Sequence, residues 1–227
     1  MNPNENYELL ISKFAHDLRN PLTVVYSTLQ LVERHCPDVK NVKYWASLAG
    51  DVEYMIALLN DFASFSGSKM QMSCISPDML MKQVVLSFAA SLADSQIEFT
   101  SKIDVHNQKI IGDPVKLQEV FRNLLKNAAE ACSAGDHIHL HMVSKGSGTI
   151  EITIKDTGCG MSAQQLSTAF DPFVTSKKQG SGLGLPICKQ IVEAHQGSIE
   201  ILSATHAGTI VRVQLPAQNQ GEQDTCN

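Results

Sequence analysis

The first third of the chain carries apolar residues at alternating steps of three and four. At about 100° per residue, seven of them fall within a stripe about 80° wide, which predicts one helix over residues 8–35. They are Ile11, Phe14, Leu18, Leu22, Val25, Leu29 and Val32. This spacing is typical of a coiled-coil seam, so this face of the helix should pack against other helices.

A second stretch, about 40–66, repeats the spacing after the helix-breaking "CPD" at 36–38. Its apolar positions are Trp45, Leu48, Val52, Met55, Leu59 and Phe62. Two such helices joined by a short turn form a helical hairpin. Because one hairpin covers only half of its own apolar stripe, we expect two chains to pair into a four-helix bundle, as a homodimer. The alternative is that the hairpin packs on the rest of its own chain.

Beyond "SGSK" at 66–69 the pattern changes to a mixture of helices and strands. Asp113 and Pro114 form an N-cap and first-turn pair, and Ser162 with Gln165 forms a capping box. Helices are predicted over about 77–92, from 114 onward, after 162 and over 184–195, and strands over 97–103, 137–143, 149–155, 198–204 and 209–215. We therefore expect an α+β protein with three regions: helical over 1–67, an α/β sandwich with a mostly antiparallel sheet over 68–216, and a disordered tail over 217–227.

Composition excludes several classes of protein. The 227 residues are 43% hydrophobic and carry a net charge of -5, which disfavours binding to a nucleic-acid phosphate backbone. The six cysteines show no C-x-x-C pair, so we expect reduced thiols in a cytoplasmic protein. We see no signal peptide and no apolar run long enough for a bilayer. The chain itself is expected to make no membrane contact, although it could be the cytoplasmic part of a larger sensor.

His16 lies on the face of the first helix that is opposite the predicted seam. Asn20 is one turn further along that face, Asp17 adjoins His16, and Pro21 removes a helical hydrogen bond nearby. A neutral imidazole can act as a nucleophile where a neighbour accepts or orients its proton, and Asp17 could do this. A surface histidine without any role is the alternative.

Three further patterns suit a nucleotide. "DTGCGM" at 156–161 places a carboxylate at a strand end beside two glycines, and "GSGLGL" at 180–185 places glycines before a helix, where backbone N–H groups suit phosphates. Asn123 and Asn127 are one turn apart and could hold Mg²⁺. Taken singly, these are equally explained as a plain turn, a flexible linker and two solvated asparagines.

Together the motifs resemble those of the sensor histidine kinases. "HDLRNPLT", "NLLKNAAEA", "DTGCGM", "FDPFVTSK" and "GSGLGLPICKQIV" are similar to that family's phosphoacceptor, asparagine, first glycine, phenylalanine and second glycine boxes, in the family's order. The motif style is most similar to nitrogen-regulator and sporulation kinases. The resemblance implies a dimerisation and histidine-phosphotransfer hairpin followed by a gyrase/Hsp90-type ATP-binding domain, with ATP and Mg²⁺ as cofactors.

The resemblance also implies residue roles at the phosphoacceptor. His16 would take the γ-phosphate of ATP and pass it to an aspartate of a response-regulator receiver domain. Asp17 would activate His16, and Asn20 would orient water when the partner is dephosphorylated. Asn127 would bind magnesium with support from Asn123.

In the ATP-binding domain, the resemblance implies that Asp156 accepts the adenine amino group, with Thr209 as its neighbour. Gly158 and Gly160 would let adenine approach closely. Phe173 would anchor a lid in which Lys177 could reach a phosphate. The glycines that would shape this lid are Gly180, Gly182 and Gly184.

Other features and alternatives remain. Glu130 stands where relatives often have a basic residue, so a phosphate contact from that position is in doubt. The run "HIHLH" at 137–141 is read as a half-buried strand rather than a metal site, and Cys159 as a small packing residue. Two other functions fit the motifs: a phosphatase of the response regulator, or a dimeric docking module without catalysis. The stimulus, the partner and cis or trans phosphorylation are not encoded in these patterns.

Overall fold

Two helices and the turn between them make up the N-terminal part of the computed structural model. The structure describes residues 3–65, 70–105, 107–146, 148–177 and 180–218, with side chains described except at 3–12, 16 and 65. Helix α1 is Pro3–His35 and helix α2 is Trp45–Phe65. Residues Pro37–Asn41 form a 3₁₀ helix, so the prediction of one helix from about residue 40 was wrong at its start.

The turn is fastened by side chains. The Trp45 indole Nε1–H donates to Glu33 Oε1 at 2.8 Å, and Lys40 Nζ lies 3.5 Å from Glu33 Oε2. The Trp45 hydrogen bond, with a smaller effect of Lys40, lowers the pKa of Glu33. Trp45 therefore has two roles: its ring belongs to the apolar stripe of α2, and its indole N–H fastens the start of α2 to Glu33 of α1.

The predicted seam is only partly covered in a single chain. Val52 is buried, whereas Phe14, Leu18, Val25 and Met55 remain exposed. Large apolar side chains in regular positions on a helix surface indicate an interaction face. The exposed seam is the feature that bears on self-association.

The seven strands of the described residues follow the two N-terminal helices and form two sheets. A five-stranded sheet has the order β2-β4-β5-β7-β6, and a small sheet pairs β1 with β3 antiparallel. All neighbours in the larger sheet are antiparallel except β2 and β4, which are parallel because the chain passes through a helix between them. The strands are β1 Ser73–Ile75, β2 Glu98–Asp104, β3 Ile110–Gly112, β4 His137–Lys145, β5 Thr149–Asp156, β6 Ser198–Ser203 and β7 Thr209–Pro216.

Helices cover one face of this sheet. Helix α4, Pro114–Ala131, packs between α3, Pro77–Ser91, and α6, Gly184–Ala194, and contacts β5. Its buried side chains are Leu117, Val120, Phe121, Leu124, Leu125 and Ala128. A short helix α5, Ala163–Ser167, follows the capping box predicted from Ser162 and Gln165. The predicted α+β architecture is therefore confirmed.

The other face of the sheet carries polar side chains. His137 Nδ1 lies 3.0 Å from Glu98, His139 Nδ1 bonds the Thr100 hydroxyl at 2.8 Å, and His141 Nε2 lies 3.6 Å from Asp104. These histidines occupy alternate positions of β4, so they share one face of the strand. The pairs join β2 to β4 across their parallel register.

The chain divides into two compact units. The first contains Met1–Lys69 and Thr175–Leu183, and the second contains Met70–Val174 and Gly184–Asn227. The predicted disordered tail begins with two residues that make backbone hydrogen bonds: Ala217 to Gly148 and Gln218 to Lys109, each at 2.8 Å. Its remainder lies outside the described residues.

Two sequence expectations concern cysteines and membranes. Cys36, Cys132, Cys159 and Cys188 are free thiols, but Cys74 is disulfide-bonded, so the expectation of a reduced thiol was wrong there. Among the described residues, no helix combines the length and the hydropathy needed to cross a bilayer.

Candidate functional site

The candidate phosphoacceptor lies in α1. His16 is part of this helix, with its side chain outside the described part of the structure, while Asp17 and Asn20 are exposed. The helix continues through Pro21, where the hydrogen bond from residue 21 to residue 17 cannot form. Asp17 and Asn20 thus lie beside a point at which the helix is intrinsically weakened.

A shallow groove extends along α1 from Asn20. Its lining residues share the face opposite the seam, and Val24 and Leu31 in it are apolar and exposed. The groove is lined by Asn20, Thr23, Val24, Ser27, Thr28 and Leu31. This mixture of polar side chains with the exposed apolar Val24 and Leu31 suits contact with another protein surface.

Asp156 is the central acidic group of the second unit. It ends β5 and is only 4% exposed, and its Oδ1 accepts hydrogen bonds from the Gly158 N–H at 3.0 Å and the Thr209 N–H at 3.1 Å. Burial raises the pKa of Asp156, these two bonds lower it by less, and nearby Asp136 raises it further. Among the described hydrogen bonds of this carboxylate, both use Oδ1, so Oδ2 is the oxygen suited to accept an amine.

The two glycines beside Asp156 are required by the protein's own backbone. A Cβ on Gly158 would lie 2.3 Å from the Ala131 carbonyl oxygen, and one on Gly160 would lie 2.0 Å from that of Ala204. Gly160 also has a φ of +66°. The structure therefore supplies a packing reason for these glycines that is independent of adenine.

Thr209 is brought to Asp156 by the pairing of β5 with β7. Its backbone N–H reaches the carboxylate, while its hydroxyl bonds the Ser203 hydroxyl at 2.9 Å. Ser203 in turn accepts a hydrogen bond from the Met161 N–H at 2.9 Å. Sequence reasoning missed Ser203, because the predicted strands at 198–204 and 209–215 do not determine which residue pairs with Thr209.

Asn123 and Asn127 both lie on α4, half-buried and one turn apart. A Cβ on Gly184, at the start of α6, would lie 3.6 Å from Asn123 Oδ1. Asn123 and Gly184 of the second glycine motif therefore meet where α4 passes α6, and Asn127 lies one turn further along α4. Glu130, from which no phosphate contact was expected, has its carboxylate 3.8 Å from Lys126 Nζ.

The start of α4 is fixed by Asp113 and His195. As predicted, Asp113 caps the helix by accepting from the N–H groups of Val115 and Lys116 at 2.9 and 3.1 Å; it also accepts from Gln71 N–H at 2.8 Å. Burial acts to raise the pKa of Asp113, but these bonds outweigh it, so the pKa is lowered overall. Asp113 N–H donates to Nε2 of His195 at 2.9 Å.

The sequence patterns did not predict a role for His195. It follows α6, is 3% exposed, and its Nδ1 lies 2.7 Å from the Ile191 carbonyl oxygen. Because a backbone N–H can only donate, Nε2 accepts from Asp113 and the ring proton is on Nδ1. This neutral ring joins the end of α6 to the start of α4. Only its position directly after an apolar helix could have suggested burial.

The glycine-rich segment groups with the first unit. Gly180, Gly182 and Lys177 belong to Thr175–Leu183. The Ser181 hydroxyl donates to Asp61 Oδ2 at 2.5 Å, and the Tyr54 hydroxyl donates to the Gly180 carbonyl at 3.5 Å.

Phe173, two residues before this segment, is exposed and has a φ of +66°. This is an uncommon conformation for a bulky residue, and strained backbone of this kind clusters at ligand clamps and switch regions. Its neighbour Phe170 is half-buried, with Lys189 Nζ 5.4 Å from the ring centroid.

Family models match both parts of the chain. Residues 8–68 match the His Kinase A (phospho-acceptor) domain, and residues 112–219 match the histidine kinase-, DNA gyrase B- and HSP90-like ATPase. Together the two matches identify a histidine kinase catalytic core in this chain. The motifs predicted this core, and its second part is an ATP-binding domain of this type.

Curated relatives of this histidine kinase core are sensor and sporulation kinases. The signal transduction histidine-protein kinase AtoS of Escherichia coli is 28% identical over 94% of this chain and 35% of its own length. Sporulation kinase C of Bacillus subtilis is 30% identical over 92% of this chain and 49% of its own. The chain therefore spans between a third and a half of these relatives.

Solved structures share the fold. Full-length ShkA in complex with AMPPNP matches 92% of the chain at a TM-score of 0.74 with 20% identity, over 46% of its own length. The mycobacterial sensor histidine kinase MprB matches 66% of the chain at a TM-score of 0.58 with 27% identity. In this histidine kinase core, Asp156, Gly158, Gly160 and Thr209 form one cluster, and Asn123 meets Gly184 at the α4–α6 contact.

Proposed function

We propose that this core transfers the γ-phosphoryl group of ATP to His16 and then to an aspartate of a response-regulator receiver domain. The observation that carries the proposal is the buried Asp156 carboxyl, with Oδ1 held by two backbone N–H groups. Such a group selects for a ligand with an amine at that point, because an unpaired buried acceptor is costly. Adenine presents that amine.

The chemistry at His16 is a nucleophilic substitution at phosphorus. A ring nitrogen of His16 attacks the γ-phosphorus, the bond to the bridging oxygen breaks, and ADP leaves. Asp17 accepts or orients the proton on the other ring nitrogen. Asn20, exposed on the same helix, would orient the water that hydrolyses the aspartyl phosphate of the partner and releases inorganic phosphate.

Magnesium fits the donor set of α4 only together with ATP. Asn127 offers one amide oxygen, a hard ligand of the kind Mg²⁺ takes, and Asn123 supports it from the preceding turn. Within the described residues, no group of three His, Cys, Asp or Glu side chains could hold a metal ion. Bound there with the triphosphate, magnesium would neutralise phosphate charge during transfer.

The remaining binding roles follow the same site. Gly180, Gly182 and Gly184 would shape the lid over the phosphates, Lys177 would reach a phosphate as a point charge, and Phe173 would anchor the lid. We retain the division into a phosphotransfer domain over 1–67 and a catalytic domain over 68–216.

We propose two partners. The exposed seam of α1 favours a second copy of the chain, and the groove beginning at Asn20 favours a receiver domain docking next to His16. We also propose a cytoplasmic location because the reaction consumes ATP. The disulfide of Cys74 is atypical of that compartment, so thiol counting under native conditions tests the location.

The deciding experiment is incubation with γ-labelled ATP and Mg²⁺, followed by acid and base treatment. We expect acid-labile, base-stable label on the wild type and none on His16→Gln. His35→Gln is the matched control, because His35 lies on the same helix with its Nδ1 2.8 Å from the Leu31 carbonyl oxygen. Label that persists in His16→Gln would contradict the assignment. Calorimetry separates absent ATP binding, which favours a docking module, from binding without transfer.

A further inference from the structure

Two free thiols lie beside the Asp156 cluster and have no part in the proposed chemistry. Cys132 follows the last residue of α4 and is half-buried, and Cys159 lies between Gly158 and Gly160 and is exposed. The exposure of Cys159 corrects its interpretation as a packing residue. Neither thiol is close to the other in sequence, so their proximity arises only from the fold.

Backbone contacts hold the two cysteines together. The Cys159 N–H donates to the Ala131 carbonyl at 2.9 Å, and a Cβ on Gly158 would lie 3.0 Å from the Cys132 nitrogen. With standard peptide dimensions, this hydrogen bond keeps the two Cα atoms within about 7 Å of each other. A disulfide spans Cα separations of about 4.4–6.8 Å, so this Cα spacing is compatible with a bridge between the two cysteines.

The Cys132 thiol faces the glycine loop itself. Burial and the charges of Asp156 and Asp136 raise its pKa to about 11, while hydrogen bonds from the backbone N–H groups of Thr157 and Gly158 act in the opposite direction. Together with the close approach of Gly158 to the Cys132 backbone, this puts Cys132 beside the loop that carries Cys159. At neutral pH this thiol is protonated, so the exposed Cys159 is the one that meets an oxidant first.

We propose that Cys132 and Cys159 form a redox-sensitive pair, which a peroxide converts to a disulfide that lowers the affinity of the core for ATP. In the first step the Cys159 thiolate attacks a peroxide oxygen and becomes a sulfenic acid, releasing water after protonation. In the second step the Cys132 sulfur loses its proton and displaces the hydroxyl as a second water. Two thiols and one hydrogen peroxide thus give one disulfide and two waters.

The effect on ATP follows from the Gly158 N–H. This group fixes Oδ1 of Asp156, and it lies between the two linked positions. Pulling residue 159 toward the end of α4 shifts that N–H and misorients the carboxylate that would accept the adenine amine. Loss of one such hydrogen bond corresponds to about a tenfold weaker affinity. This second part rests on the proposed ATP site, whereas disulfide formation does not.

The test begins with peroxide treatment and tryptic mass spectrometry. Trypsin cleaves after Lys126, Lys145 and Lys155, so the two cysteines lie on separate peptides unless they are linked. We expect a linked peptide in the wild type that disappears on reduction and is absent from Cys159→Ser and Cys132→Ala. Cys36→Ser, which removes a different exposed thiol, should retain the link. Absence of the linked peptide from the treated wild type would overturn the proposal.

Calorimetry with ATP on the oxidised and reduced wild type completes the test. An affinity at least about tenfold weaker after oxidation, restored by reductant, is the expected result. Equal affinities with the link present would overturn the regulatory part. If the reduced protein fails to bind ATP while the link forms, the proposed function fails and the thiol pair stands. The linking rate should rise with pH as Cys132 ionises.

Discussion

Asp156 and Asp113 are both buried carboxyl groups, but their surroundings act in opposite directions. Burial dominates at Asp156 and raises its pKa, whereas three backbone N–H groups prevail at Asp113 and lower its pKa. A raised carboxyl pKa means that the ionised form is disfavoured in the folded state, so it costs stability above the unfolded pKa. A lowered pKa contributes stability there, which is lost as pH falls through the folded pKa.

The expected outcome is opposite effects of the same substitution. Asp156→Asn should raise the free energy of unfolding at pH 7, because it removes a desolvated charge while keeping an acceptor for Gly158 and Thr209. Asp113→Asn should lower it by about 1 kcal/mol, because a charge-assisted cap becomes a neutral one. Denaturant unfolding of both variants tests this, and a shift of the same sign in both would contradict the assigned environments.

Nucleotide binding supplies a second readout at Asp156. Adenosine affinity should fall as pH drops through the raised pKa, because the protonated carboxyl no longer offers two acceptor oxygens. Adenosine is a better ligand than ATP for this measurement, because it has no phosphate group that titrates in this pH range. Asp156→Asn should bind more weakly at pH 7 and lose this pH dependence. A pH profile unchanged by the substitution would remove Asp156 from the adenine site.

At the residue scale, sequence patterns predicted features that depend on neighbours in the chain. The Asp113 cap and the Ser162–Gln165 capping box are confirmed because N-caps act over two or three residues. His195 and Ser203 were missed because their partners lie 82 and six residues away, on other elements. Long-range partners follow from the register of strands and the packing of helices, which local spacing does not determine.

At the scale of elements, the glycine motifs have different tolerances. A methyl group on Gly158 would meet the Ala131 carbonyl at 2.3 Å, whereas one on Gly184 meets Asn123 Oδ1 at an ordinary contact distance of 3.6 Å. Gly158→Ala should therefore destabilise the ATP-binding domain by several kcal/mol, roughly as for overpacking or strain. Gly184→Ala should fold normally, since alanine favours the start of α6 by about 1 kcal/mol.

Thermal unfolding of the two glycine variants checks this directly. A well-folded Gly158→Ala would contradict the close approach of the loop to α4. Any loss of ATP affinity in Gly184→Ala, with stability preserved, would arise from the lid rather than from the fold. The pair thus separates structural from ligand-related glycines, which motif matching treats alike.

The elements that the sequence predicted were those in which many hydrophobic positions repeat with a single period. Helices α1, α3, α4 and α6 and strands β4, β5 and β7 agree with the predicted bounds within a few residues at most ends. Strand β1 has three residues, too few to show alternation, and it was missed. The 3₁₀ turn at Pro37–Asn41 begins within the predicted break at 36–38, and only its last two residues were assigned to the second helix.

At the scale of the whole molecule, the main feature is the apolar seam of α1, which the described residues of this chain cover only in part. Leu18 and Val25 lie on it and are exposed, while Val24, also exposed, lies about 120° away around α1. Glutamate at a dimer seam would place like charges in an apolar interface. Glutamate at Val24 would face away from that interface.

Leu18→Glu and Val25→Glu should each raise the dimer dissociation constant on the order of 100-fold or more, and Val24→Glu should leave it nearly unchanged. Sedimentation velocity across a concentration series measures this. Equal effects of Val24→Glu and Val25→Glu would place the interface elsewhere on α1. A wild type that is monomeric at high micromolar concentration would favour the hairpin packing without a second copy.

Because the His195 ring is held in a single tautomer, with its proton on Nδ1, this residue can serve as a spectroscopic probe. Its Nδ1 proton is held against the Ile191 carbonyl at 2.7 Å and is almost completely shielded from water. The ring N–H protons of exposed histidines exchange with water too fast to be seen by NMR. A persistent downfield imidazole N–H resonance would therefore belong to this ring. Its disappearance during gentle denaturation would time the separation of α6 from the start of α4, independently of any nucleotide.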